Sequence, residues 1–256
     1  MRSVILAALL GTTAYLSLCA WLFFTQRSQI YFQVREVNPP GAQSIRLPSR
    51  DATLKIWVVE RPGPRALIYF GGNAEDVSAN LPTFASAIPD HTLYLVNYRG
   101  YGGSTGAPSE SALVADANLI YDHLHSRYPE ISVMGRSLGS GVAVQLAAAR
   151  EVRRLVLVTP YDSLANVAGA HFPMFPVAFL MRDRYNSARR ARAIRTQVLA
   201  VIAGDDEIIP RARSEALVNS FPQSQVRVTL LDGATHNSID LYPAYLRDVG
   251  DFLAAD

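Results

Sequence analysis

The sequence predicts an α/β protein: a mostly parallel, doubly wound sheet with helices on both faces. Three observations carry this. Short, near-continuous apolar runs such as Ala66-Leu67-Ile68-Tyr69-Phe70 and Leu155-Val156-Leu157-Val158 read as strands covered on both sides. Helix-like segments alternate with them, the rhythm of parallel crossover units. The stretch from residue 43 to residue 256 is ample for one domain with one core.

The elements follow in order. Val4 to Phe24 is 21 residues without a charge. As a helix this run covers roughly 31 Å, the thickness of a bilayer core. It is longer than the ~7–15 apolar residues of a signal peptide. Ser17-x-Cys19 offers only a weak cleavage site, and Trp21-Leu22-Phe23-Phe24 continues the apolar run past it. The expectation is an uncleaved membrane anchor over residues 1–27, with a cleaved signal as the alternative. Trp21 and Tyr31 suit an interfacial belt. Arg2 and the amino terminus compete with Arg27 and Arg35 for the cytoplasmic side; the expectation is N-in, with the folded domain outside the cytoplasm. A linker over 28–42 ends in Asn38-Pro39-Pro40-Gly41, and the remaining domain spans 43–256.

Gln43–Leu47 and Thr53–Glu60 read as a hairpin around Pro48-Ser49-Arg50-Asp51. Then come strand Ala66–Phe70, a helix near Glu75–Ala87, strand Leu93–Tyr98, helix Ser109–Tyr128, strand Ile131–Met134, helix Leu138–Ala149 and strand Leu155–Val158. Between about 161 and 195 the rhythm breaks into an apolar, proline-interrupted segment that reads as a small cap. Strands Val198–Ala203 and Val226–Leu231 and a terminal helix Pro243–Leu253 complete the chain.

Chemistry concentrates at Gly135-Arg136-Ser137-Leu138-Gly139, between a strand and a helix. A G-x-S-x-G there is a nucleophile-elbow signature: the tight turn lifts the serine hydroxyl above the sheet and sets the next amide at a helix N-terminus. Ser137 is the candidate nucleophile, and the Leu138 amide a candidate donor to a developing oxyanion. A serine needs a base, held in turn by a carboxylate, in the chain order Ser, acid, His. Asp205 and Asp206 follow the strand ending at Ala203, and His236 follows the strand ending at Leu231. Both are positions at the carboxyl edge of a parallel sheet, where such sites form.

The chain resembles the α/β-hydrolase superfamily, and within it the small branch of membrane-anchored serine hydrolases of the α/β-hydrolase domain-containing type. The resemblance rests on Tyr69-Phe70-Gly71-Gly72-Asn73-Ala74-Glu75, Asn97-Tyr98-Arg99-Gly100-Tyr101-Gly102-Gly103-Ser104, the elbow, Asp206-Glu207-Ile208-Ile209-Pro210 and Thr235-His236-Asn237. It implies an α/β-hydrolase fold in which Ser137 is the nucleophile, His236 the base and Asp206 the acid. Asp206 is preferred because the family pattern sets the acid four residues before a proline. Asp205 and Asp162 are the alternatives. The resemblance also assigns the second oxyanion donor to the Asn73 amide; Gly71 stands where relatives carry histidine. Gly72, Phe172, Phe175 and Phe179 are the further candidates for substrate contact, the phenylalanines as an apolar wall for an acyl or alkyl chain.

The implied reaction is hydrolysis of a carboxylic ester or thioester through an acyl-enzyme, on acyl-chain or lipid-like substrates near a membrane. A peptidase, an amidase or an acyltransferase would use the same three residues, and a non-catalytic membrane-tethered scaffold would keep the fold alone. No cofactor is expected. No Cys or His cluster has metal-ligand spacing, and no Walker-type or dinucleotide glycine motif follows a strand. Cys19 is the only cysteine, so an intrachain disulfide is impossible. The net charge of +2 argues against a nucleic-acid partner. Arg182, Arg184, Arg189, Arg190, Arg192 and Arg195 cluster, as a solvated face or as a patch for anionic headgroups. His91, His123 and His125 read as surface residues, while His171 lies in the cap segment. The oligomeric state is not legible.

Overall fold

The computed structural model describes residues 1–255. An eight-stranded sheet forms the centre: β1 (Gln43–Ser49), β2 (Ala52–Val59), β3 (Arg65–Phe70), β4 (Thr92–Val96), β5 (Glu130–Arg136), β6 (Arg154–Val158), β7 (Gln197–Ala203) and β8 (Val226–Leu231). Their spatial order is β1-β2-β4-β3-β5-β6-β7-β8. β1 pairs with β2, and β2 with β4, antiparallel; every other neighbour is parallel. The chain leaves β3 toward one edge and returns to start β5 on its other side, so the order reverses between these two strands. That reversal opens a crevice at their carboxyl ends.

Alternating side chains along the strands fill two cores. Ile68, Val133 and Leu157 face α3 (Glu110–His125) and α4 (Leu138–Ala149). Leu67, Tyr69 and Met134 face α2 (Leu81–Ala87) and α9 (Pro243–Ala254). Apolar residues on both sides explain why the central strands read as unbroken hydrophobic runs. Three short helices, α5 (Leu164–His171), α6 (Val177–Leu180) and α7 (Ser187–Ala191), occupy the segment between β6 and β7; α8 (Arg211–Val218) follows β7.

Three local expectations change. The helix expected from Glu75 begins only at Leu81, after a single 3₁₀ turn over Val77–Asn80. Glu75 is diverted: its carboxylate accepts from the Gly72 amide and the Tyr69 hydroxyl. His91, expected at the surface, is 1% exposed, because it sits where the sheet is covered just before β4. The N-terminal helix α1 (Arg2–Ile30) runs past the expected boundary at residue 27.

The segment after α1 lies along the domain. The Gly102 amide donates to Val34 O at 3.0 Å, and Lys55 Nζ donates to Glu36 at 2.8 Å and also to Asn38. α1 itself is long and apolar enough to cross a membrane, and Cys19 is its one buried residue.

Candidate active site

The elbow is built by close approach. A Cβ on Gly139 would lie 2.0 Å from Phe70 O, and one on Gly135 would lie 2.2 Å from Gly139 O. Only glycine lets α4 start this near the sheet. Ser137 takes the strained turn between them, at φ 51° and ψ −117°, a conformation L-residues adopt only when their surroundings enforce it. Its amide is tied to Val158 O at 2.9 Å. Leu138 is the first residue of α4, so its amide has no helical acceptor behind it.

Three distant residues converge. Ser137 Oγ lies 3.0 Å from His236 Nε2. His236 Nδ1 lies 2.8 and 3.0 Å from the two Asp206 oxygens. Facing a carboxylate, Nδ1 carries the proton and donates, which leaves Nε2 to accept from the serine hydroxyl. Both partners are shielded, with side chains 7% and 2% exposed for His236 and Asp206. The Ile208 and Ile209 amides donate to Asp206 Oδ1 at 2.9 and 2.7 Å, fixing the carboxylate in its loop. Asp205 is exposed and uses its amide on Ala234 O. Asp162 is taken up by the Ser163 amide, Asn166 and Arg213. Neither alternative acid contacts His236.

The loop after β3 is held from both sides. Tyr98 donates to Gly71 O at 2.8 Å, and Glu75 accepts from the Gly72 amide at 2.6 Å. Arg136 stands 3.7 Å from the same Glu75 carboxylate and donates to His236 O at 3.4 Å. Burial opposes the charge on Arg136, yet Glu75 and the other acidic neighbours raise its pKa above the ordinary value. The Asn73 side chain donates to Ile30 O at 2.7 Å and accepts from the Phe32 amide and the Tyr101 hydroxyl, each at 2.9 Å. The end of α1 therefore fixes the loop that carries the Asn73 amide.

Ser137, Leu138 and Asn73 open into a cavity of about 610 Å³, within the usual range for a small-molecule site. Phe172 and Phe175 line it. Two other expected contacts move away. The Gly72 amide is spent on Glu75, and the residue does not border the cavity. Phe179 is 86% exposed, because the single turn of α6 presents Val177 and Leu180 inward instead. His171 reaches the rim and bonds Ile208 O at 2.8 Å. His123 and His125 are exposed. Among the described residues no group of His, Cys, Asp and Glu has the placement of a metal site.

Sequence reasoning assigned no role to Glu75, Arg136 or Glu207, whose carboxylate accepts from the His236 amide at 3.2 Å. All three sit inside quoted motifs, but their partners are far away in the chain. It also missed that α1 borders the cavity through Leu18, Leu22, Gln26 and Ile30.

A family model described as alpha/beta hydrolase fold matches residues 66–182. The uncharacterized protein Rv2307c of Mycobacterium tuberculosis is 34% identical, over 86% of this chain and 84% of its own. Among solved structures, the esterase Pf2001 of Pyrococcus furiosus superposes with a TM-score of 0.71 at 18% identity, covering 87% of this chain and 97% of that one. The enol-lactonase of Burkholderia xenovorans gives 0.66 at 16% identity, covering 82% and 100%.

Proposed function

This chain belongs to the alpha/beta hydrolase fold family, and from that premise we propose that it is a serine hydrolase cleaving carboxylic esters or thioesters through an acyl-enzyme on Ser137. The observation that carries the reading is the unbroken array from Asp206 through His236 to Ser137, at 2.8 and 3.0 Å, opening into an apolar cavity.

His236 Nε2 takes the hydroxyl proton as Ser137 Oγ bonds to the substrate carbonyl carbon. The carbonyl oxygen gains the electron pair and is held by the Asn73 and Leu138 amides. Asp206 keeps Nδ1 protonated and steadies the imidazolium. As the tetrahedral species collapses, the ester or thioester bond breaks and His236 gives its proton to the departing alcohol or thiol. Water then repeats the sequence, releasing the acid and restoring Ser137. None of these steps calls for a metal or cofactor. The apolar cap supports acyl-chain substrates over charged or peptidic ones, and α1 serves as the membrane anchor.

The test is covalent. A fluorophosphonate probe labels the full chain in detergent, and Ser137→Ala abolishes both label and turnover of a 4-methylumbelliferyl ester. Undiminished labelling of Ser137→Ala removes Ser137 from the role.

A further inference from the structure

The cavity over Ser137 has a wall that the hydrolytic steps do not require. Leu18, Leu22, Gln26 and Ile30 of α1 line it together with Val167 and Phe172. They recur every four residues, so one helix face follows the cavity for about 18 Å. An acyl chain filling one leaflet spans about 15 Å, half of the ~30 Å hydrocarbon core.

The cap is fastened to that same helix. Tyr15 donates to Met174 O at 2.8 Å and its ring stacks on Phe175. Gln26 donates to Leu180 O at 3.0 Å and accepts from the Arg182 amide at 2.7 Å. Arg27 meets Asp183 at 2.9 Å. These contacts set depths. Tyr15 lies about 13 Å along the helix from Phe24, the end of the apolar run, whereas the Arg182 guanidinium stands 5.8 Å from the Phe23 ring. With α1 in a bilayer, the cap tip sits among acyl chains and Arg182 at the headgroups. The side chains agree with those depths: Phe172 and Met174 are exposed near the tip, and within the cap the exposed arginines begin only at Arg182.

We infer that α1 is the second wall of an acyl-chain site, and that the substrate is a long-chain acyl ester drawn sideways from the bilayer between α1 and the cap until its carbonyl reaches Ser137. This rests on the serine-hydrolase reading above. The anchor is then a specificity-determining element: Leu18 and Leu22 set how long a chain fits. A soluble ester with a short acyl group reaches Ser137 without using this wall.

The experiment compares two esters on the full chain in vesicles of phosphatidylcholine and phosphatidylglycerol. One is 4-methylumbelliferyl palmitate embedded in the vesicle; the other is the butyrate added in solution. Leu22→Trp fills the wall, and overpacking of this kind corresponds to a roughly 10- to 100-fold loss. The palmitate-to-butyrate ratio of kcat/KM falls at least tenfold, while Phe24→Trp, at an exposed position on the opposite face of α1, leaves the ratio unchanged. A ratio within twofold of wild type in Leu22→Trp overturns the inference.

A second measurement uses no variant. A hexadecyl fluorophosphonate with a diazirine at the chain end reacts at Ser137 and is then photolysed; cross-links map to residues 15–30. Cross-links confined to the sheet and cap overturn the inference while leaving the serine reading intact. A wild-type chain that takes no phosphonate and hydrolyses neither ester removes the serine reading, and this inference with it.

Discussion

Asn73 separates two roles within one residue. The residue borders the cavity, and its main-chain amide, the proposed oxyanion donor, survives replacement of the side chain. Its side chain is the tie between the loop after β3 and the end of α1, through Ile30 O and the Phe32 amide. Asn73→Ala therefore loosens the donor without deleting it. Losing an oxyanion donor outright costs about 10²–10³ in turnover, and misplacing one costs less. The expected outcome is a roughly tenfold fall in kcat on the butyrate ester with KM little changed, read by steady-state kinetics. A change in KM alone would show that the side chain contacts substrate. Glu75 and Arg136 support the same loop from the other side. Ser137 and His236 were legible in the sequence because each follows a strand end in a recognisable run, whereas Asp206 and Asn73 were singled out only by the resemblance to the family. Glu75 and Arg136 were not, since a carboxylate earns no role until its partner is known.

Among the elements, α1 and the cap behave as a pair. Asp183 is buried between Arg27, at 2.9 Å, and the Tyr31 hydroxyl, at 3.2 Å. Burial, together with the negative charge of Asp183, raises the Tyr31 pKa well above the ordinary tyrosine range. Arg27 is partly exposed, so solvent screens the ion pair and its worth is modest. Asp183→Ala is expected to cost about 1–2 kcal/mol and to speed amide hydrogen exchange in residues 172–190 more than in the sheet strands. Equal protection of the cap in wild type and variant would show that other contacts hold it to α1. The elbow strand and helix were read closely from sequence, β5 into α4, because glycines and apolar runs mark them locally. The late start of α2 was not, because Glu75 bonds back to Gly72 rather than continuing a helix.

For the molecule as a whole, one buried imidazole makes a distinct contribution to the pH dependence of stability. His91 is enclosed, its Nε2 has no hydrogen-bond partner, and burial, aided by Arg65 and Arg153, pushes its pKa down to about 4. The unfolded chain binds that proton near the ordinary value of 6.5, so between about 6.5 and 4 it holds more protons than the fold. Stability is full above that window and falls as pH drops through it, by roughly 2–3 kcal/mol at pH 4.5. Urea unfolding in detergent at pH 7.5 and 4.5 measures the difference, and His91→Phe is expected to shrink it by that amount. An equal pH dependence in the two proteins would acquit His91. The sequence by itself determined the α/β alternation, the apolar N-terminal helix, the elbow and the order of serine, acid and histidine, because periodicity and glycine placement are local properties of the chain. Only the tertiary structure decided that Asp206 rather than Asp205 meets His236, that His91 is buried, that Phe179 faces outward and that α1 borders the cavity. Those facts depend on which surfaces meet. A helix apolar on every side carries no stripe to show which face it will use.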